Sequence, residues 1–361
     1  MALSKIPNAG ISDAVNFRNI IINGGMSIAQ RATSTASITG TDYHTIDRWN
    51  LGLNSMGTFT QSQSTDVPSG QGFANSLKMD CTTADASPAA GDLNLLQQKI
   101  EGQNLQYLKK GTSSAESLTL SFWVKSNKTG TYICQLRDID NSRSISKSYT
   151  ISAADTWEKK TVTYDGDTTG AFGNDNGDSL RLLFWLGAGS TYSSGTLATT
   201  WGTEVNANRA VGQVNLADST SNEWYITGIQ LEAGTTASDF EFLPYDVNLR
   251  RCQRYYLPLS VNNAYIANCY YYAGTHLKVH IEPATNFRAT PSISQSAASN
   301  WMTVYRDGAA DQISNSFTLD GTTLTRFISV YATGGDISGT AGQAGGLYSS
   351  SSNEFALEAE L

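Results

Sequence analysis

Residues 117–124 read Ser-Leu-Thr-Leu-Ser-Phe-Trp-Val, hydroxyl and apolar side chains in near alternation, and the turn Asn127-Lys128-Thr129-Gly130 follows at once. A period of two puts one set of side chains on each face of a strand. A turn of that composition reverses the chain. The pattern returns in TYICQLRD (131–138), SRSISKSYTI (142–151), WEKKTVTYDG (157–166), the nearly continuous apolar run LRLLFWLGAG (180–189) and NEWYITGIQLEAG (222–234). Short strands at this spacing predict an all-β fold, an antiparallel β-sandwich. The 41 Ser and 39 Thr, with only 16% charged residues, fit pleated surfaces and leave little material for amphipathic helices. Only Leu93–Leu108 has helix-like apolar spacing, and Gly102 interrupts it, so a short helix and a strand pair both fit.

At 361 residues the chain exceeds a single small core, and two domains are expected. Residues 1–15, with few apolar positions, form an arm. Residues 16–245 make the larger β-sandwich, and residues 246–361 a smaller C-terminal β-sandwich domain, introduced by the segment YDVNLRRCQRYY (245–256). The stretch Gly187–Gly212 is a long loop, of the kind that usually serves function or touches a neighbour, and the Gly/Ser tract Gly334–Ser352 is read as an extended loop.

Net charge is −8 and no basic run exceeds a pair, which argues against a nucleic acid partner. No apolar run has the length of a span or a secretory signal, so no membrane insertion is expected. Cys81, Cys134, Cys252 and Cys269 are scattered singly and are read as reduced and structural. Only His44, His276 and His280 exist, without a Gly-x-Ser-x-Gly elbow, and no catalytic residue is assigned. His276 and His280 share a strand face with no third ligand at suitable spacing, and Asp165, Asp167, Asp175 and Asp178 fail the calcium-loop template, so no metal or cofactor is assigned.

Sugar recognition needs a flat aromatic face beside groups that satisfy hydroxyls. The candidates are Tyr192 and Trp201 in the long loop, with Asn206, Asn208 and Arg209 following. Trp49, Trp123, Trp157, Trp185 and Trp224 lie in strand patterns and are assigned to core or strand packing. Tyr255-Tyr256 and Tyr270-Tyr271-Tyr272 face both sides of a strand, and burial against further copies of the chain is the preferred reading.

Several phrases resemble virion proteins of tailed bacteriophages, particularly tail-fibre and appendage proteins of marine podoviruses. They are NIIINGGMSIAQR (19–31), TIDRW (45–49), the run from Leu96 to Tyr132, WEKKTVTYDGDTTGAF (157–172), the run from Asn206 to Gly234, and DFEFLPYDVNLRRCQRYY (239–256). The first domain is also similar to the jelly rolls of carbohydrate-binding modules, through Trp224, Gln230, Leu231 and Glu232 near its C-terminal end, which implies an antiparallel jelly-roll β-sandwich over residues 16–245. The resemblance implies a non-enzymatic structural protein located in the virion and assembled in the host cytoplasm. It implies anchoring to other virion proteins through the N-terminal arm, a homotrimer, and contact with a host surface glycan or protein receptor. A head fibre or capsid decoration protein is the alternative, and a polysaccharide-degrading tailspike-type enzyme a second one.

Overall fold

The computed structural model describes residues 17–260, 263–321, 323–349 and 354–361; the expected arm, residues 1–15, lies outside them. The chain forms two compact units, residues 17–26, 36–42 and 51–243, and residues 27–35, 43–50 and 244–361.

The first unit is an antiparallel β-sandwich of two six-stranded sheets. In the first sheet the spatial order is Ser34–Ile38, Thr58–Ser64, Ser76–Thr83, Glu223–Ala233, Leu118–Ser126, Glu158–Tyr164. In the second it is Gly202–Thr203, Arg143–Ile151, Gly130–Asp138, Asp178–Ala188, Leu93–Glu101, Asn50–Asn54. Alternation decides what fills the gap between them. Leu120, Phe122 and Val124 point inward from one sheet, and Cys134, Leu136, Leu182 and Phe184 from the other, all fully buried. The Phe122 ring meets Phe184 and Tyr149 edge-on, each at 5.0 Å between centroids, the geometry favoured by the ring quadrupole. Burying each such side chain is worth roughly 1.5–3 kcal/mol.

The ambiguous Leu93–Leu108 segment resolves as the strand Leu93–Glu101 followed by two single 3₁₀ turns, Gly102–Asn104 and Gln106–Leu108. The strand pairs along Asp178–Ala188, and Gly102, where it gives way to the first turn, admits no side chain, since a Cβ there would fall 2.1 Å from the Gly173 carbonyl oxygen.

The second unit has a seven-stranded antiparallel sheet, ordered Ala309–Ile313, Met302–Arg306, Ala344–Ser349, Ala264–Ala273, His276–Ile281, Ile328–Thr333, Thr318–Leu319. A three-stranded sheet, Tyr256–Pro258, Phe355–Glu358, Ser292–Gln295, shares its core. Trp301, Phe317 and Phe355 pack there with Tyr271, Leu277 and Leu347. Two expectations change. The tract 334–352, read as a loop, contains the interior strand Ala344–Ser349, whose glycines let neighbouring side chains cross it: a Cβ on Gly345 would lie 2.8 Å from Val304 Cγ1. Residues 27–35 and 43–50, placed by sequence in the first domain, belong to this unit, because Arg31 pairs with Glu358 (2.9 Å) and Glu360 (3.2 Å) and Arg48 pairs with Glu360.

The opening segment of this unit is the helix Tyr245–Gln253, with Asp246 in its first turn and Arg250 and Arg251 in its last, complementing the helix dipole. Beyond it, Tyr255 and Tyr256 are buried under the guanidiniums of Arg48 (3.5 Å to the ring centre) and Arg31 (3.8 Å). Cation–π contacts within the chain cover this tyrosine pair, which the sequence reading had assigned to a contact between copies. Among the described residues no helix is long and apolar enough to cross a membrane.

Candidate functional site

The strand Leu118–Ser126 sends Leu120, Phe122 and Val124 into the sandwich, so Ser121, Trp123 and Lys125 emerge on the outward face of the first sheet. Trp123 is half-buried there, opposite Thr227 on one neighbouring strand and Lys159 on the other. The register of Glu223–Ala233 slips between Thr227 and Gln230, a bulge that contains Gly228 at φ +63°. A Cβ on Gly228 would lie 2.6 Å from Phe73 Cζ, so the Phe73 ring rests on bare backbone. Phe240 and Phe242 close around Phe73, with centroids 4.8–5.1 Å apart.

Their segment is tied to the same bulged strand. The Glu241 backbone N–H donates to Gln230 Oε1 (2.8 Å), Gln230 Nε2 donates to the Asp239 carbonyl (3.2 Å), and the Asn19 N–H donates to the Glu241 carboxylate (3.0 Å). These elements enclose a groove of about 210 Å³, with Phe73, Trp123 and Phe242 as apolar walls and Gln71, Lys159 and Asp239 as polar rim. Phe242 is 56% exposed although it is a large apolar ring. Aromatic surface extends along the face. Tyr225 meets Trp157 edge-on at 6.2 Å, and Lys125 lies 4.2 Å from the Tyr225 ring while pairing with Asp66. Burial alone would raise the Asp66 carboxyl, but hydrogen bonds from Lys125 and from Trp157 Nε1 (2.9 Å) outweigh it and hold the group below the usual range.

Against this geometry stand the comparisons. No protein-family model matches the sequence, and no curated protein matches it. Among solved structures, a sugar-binding protein from Bacteroides thetaiotaomicron described as putative is similar at 13% identity and a TM-score of 0.34, over 60% of this chain and 99% of its own. A family 61 carbohydrate-binding module in complex with β-1,4-galactotriose is similar at 10% identity and a TM-score of 0.31, over 60% and 99%. The enzymatically active domain of tailspike protein 4 of bacteriophage CBA120 is similar at 16% identity and a TM-score of 0.31. This chain spans 21% of that tailspike chain, and the likeness covers 60% of this one. All three scores are low, and the chemistry of the groove is what bears on function.

The residues chosen from sequence lie elsewhere. Tyr192 and Arg209 come together over Trp185 on the outward face of the second sheet: the Tyr192 and Trp185 rings are 5.5 Å apart and the Arg209 guanidinium is 5.1 Å from the Trp185 ring. Arg209 donates from Nε to Gln135 Oε1 (3.2 Å) and is 7% exposed. Burial lowers its pKa, an effect that Glu204 opposes. Asn208 accepts from the Thr196 backbone N–H (3.0 Å), and Asn206 is exposed in the same short turn, Asn206–Asn208. Trp201 is apart from these four. It donates to the Asp165 carbonyl (2.7 Å) and lies 5.6 Å from Lys110 Nζ.

The acidic loop is held by ion pairs. Asp167 accepts two hydrogen bonds from Arg143 (2.7 and 2.9 Å) and pairs with Lys110 (3.1 Å), which also pairs with Asp138 (2.6 Å). No group of three metal-ligating side chains is found among the described residues. His276 and His280 do share one strand face, separated by Lys278. All four cysteines are buried and outside any disulfide, and burial raises their thiols, to about 11 at Cys81 and about 12 at Cys134 and Cys269, so they are poor nucleophiles. Of the strand tryptophans, Trp49, Trp185 and Trp224 are fully buried, whereas Trp123 and Trp157 are half-buried on the outward face. Sequence reasoning passed over Phe73, Phe240, Phe242 and Gly228. A signal existed: a glycine inside the strand pattern of 222–234 marks a bulge or a close approach.

Proposed function

We propose that the first unit is a carbohydrate-binding module, and that the chain acts as an adhesive structural protein of a tailed-phage virion, a tail fibre or similar appendage, that holds glycan on the host surface. The groove carries the reading: aromatic walls offer a flat apolar face to the C–H face of a sugar ring, while Gln71, Lys159 and Asp239 can exchange hydrogen bonds with its hydroxyls. The virion setting rests on the sequence phrases described above. The reading is non-catalytic, since the groove presents Asp239 as its one carboxylate where glycoside hydrolysis uses two. A site of this size binds weakly, and several copies on one particle would raise the apparent affinity by about 10²–10⁴.

The test is affinity electrophoresis of the full chain through gels containing soluble plant and bacterial polysaccharides, followed by titration of the best binder. Trp123→Ala is expected to weaken binding about tenfold, as the loss of one stacking platform would, with unchanged circular dichroism. Passage of the wild-type chain through every gel without retardation overturns the reading, as does a Trp123→Ala variant that binds like wild type.

A further inference from the structure

In the second unit, alternation sends Cys269, Tyr271, Leu277 and Val279 into the core and leaves the other face of the seven-stranded sheet outward. That face is built of aromatic rings in rows. Phe327, His280 and Tyr270 follow one another at 4.8 and 5.6 Å between centroids. Tyr331, His276 and Tyr272 form a parallel row at 5.1 and 5.3 Å. On the adjoining strands Tyr265, Tyr305 and Tyr348 cluster at 5.3–6.0 Å.

Tyr265 shows how the face is made. A Cβ on Gly346 would lie 2.8 Å from Tyr265 Cε1, so the ring lies down on the bare backbone of Ala344–Ser349 while remaining 65% exposed. One face of the ring meets the sheet and the other meets solvent. Tyr272 is 61% exposed and Tyr305 44%. Leaving this much aromatic surface in water has a cost that core packing does not explain.

We infer that this face is a second carbohydrate-binding platform, for a neutral polysaccharide lying across the strands, independent of the Trp123 groove. Two observations select this occupant. Lys278, the charged side chain among the outward positions of Ala264–Ala273, His276–Ile281 and Ile328–Thr333, is paired with Asp320 at 2.7 Å, so the rows present no unpaired lysine or carboxylate to a polyanion or a basic peptide. Apart from Lys278, the outward positions of those strands hold Tyr, His, Asn, Ser and Thr with no Leu, Ile, Val or Met, whereas the centre of a permanent contact between copies resembles a protein core. Hydroxyl-bearing rings match a ligand whose surface alternates C–H faces and hydroxyls.

The experiment uses the full chain carrying Trp123→Ala, which weakens the groove about tenfold, so that the effect of further substitutions on the second face is read against a reduced groove contribution. Affinity electrophoresis against laminarin, galactan and dextran, with alginate as the anionic comparison, is expected to retain this variant on at least one neutral polymer and not on alginate. Adding Tyr265→Ala and Tyr305→Ala should weaken that binding about tenfold or more, and Gly346→Val, which would lift the Tyr265 ring, should reproduce the loss. Circular dichroism checks that each variant is folded. The proposal is overturned if the Trp123→Ala chain is retained by no neutral polymer, if its retention survives the double tyrosine substitution, or if it prefers alginate. It is equally overturned if sedimentation shows self-association that Tyr265→Ala abolishes, which would assign the face to a second copy of the chain.

Discussion

Lys110 is 5% exposed along its side chain and sits between Asp138 and Asp167, which are 0% and 3% exposed. Charges so placed are costly singly and tolerable together. Burial would raise the Asp167 carboxyl; hydrogen bonds from Arg143 and Lys110 outweigh that and depress it. A depressed carboxylate contributes stability that is complete above its unfolded pKa, about 3.9, and is lost as the pH falls through the folded value. Lys110→Met should therefore cost about 3–5 kcal/mol at neutral pH, measured by urea denaturation. Because acid protonates the Asp167 carboxylate and so removes its pairing with Lys110 in the wild type as well, the gap between the two should shrink as the pH falls below about 4. A gap that stays constant down to pH 2.5 would show that the lysine stabilises by packing alone. The acidic stretch 165–178 was legible as a polar loop rich in turn-forming Asp and Asn. Its partner was not, since nothing local in the sequence links Lys110 to Asp167.

The strand Glu223–Ala233 carries both a core face and the groove, and the bulge at Gly228 lets it do so. The strand was legible from the run 222–234, although the residues it buries change parity across the bulge, Trp224 and Ile226 before it and Ile229 and Leu231 after it. The groove was not, because Phe73 reaches the strand from a loop more than 150 positions away, and only the glycine hints at its arrival. The same limit explains Leu93–Glu101. Its apolar spacing fits two periods, and pairing with Asp178–Ala188 decides between them. Gly228→Val tests the element directly. The backbone there is left-handed and the new side chain would collide with Phe73. The expected outcome is a folded but destabilised sandwich, by about 1–3 kcal/mol, that has lost glycan binding at the groove while the platform of the second unit still binds. A variant retaining groove binding would mean that Phe73 is not part of the site.

Two β units were expected, and where the chain passes from one to the other was approachable from composition, because DFEFLP ends one strand pattern and the helix Tyr245–Gln253 precedes the next. What composition cannot carry is that the second unit draws on residues 27–35 and 43–50, more than 190 positions before its main segment. Those residues supply Arg31 and Arg48, and the Arg48 side chain is 1% exposed against a Glu360 that is 6% exposed. Removing one member of such a pair leaves a buried charge without compensation, which costs about 3–5 kcal/mol, and here also strips the cation from the Tyr255 ring. Residues 244–361 produced alone should therefore lack a cooperative unfolding transition in calorimetry, although their strands are complete. In the full chain Arg48→Met should lower the transition of the second unit and leave glycan binding at the Trp123 groove unchanged. A fragment 244–361 that unfolds cooperatively near the temperature of the intact unit would show that the early segments decorate this core without completing it.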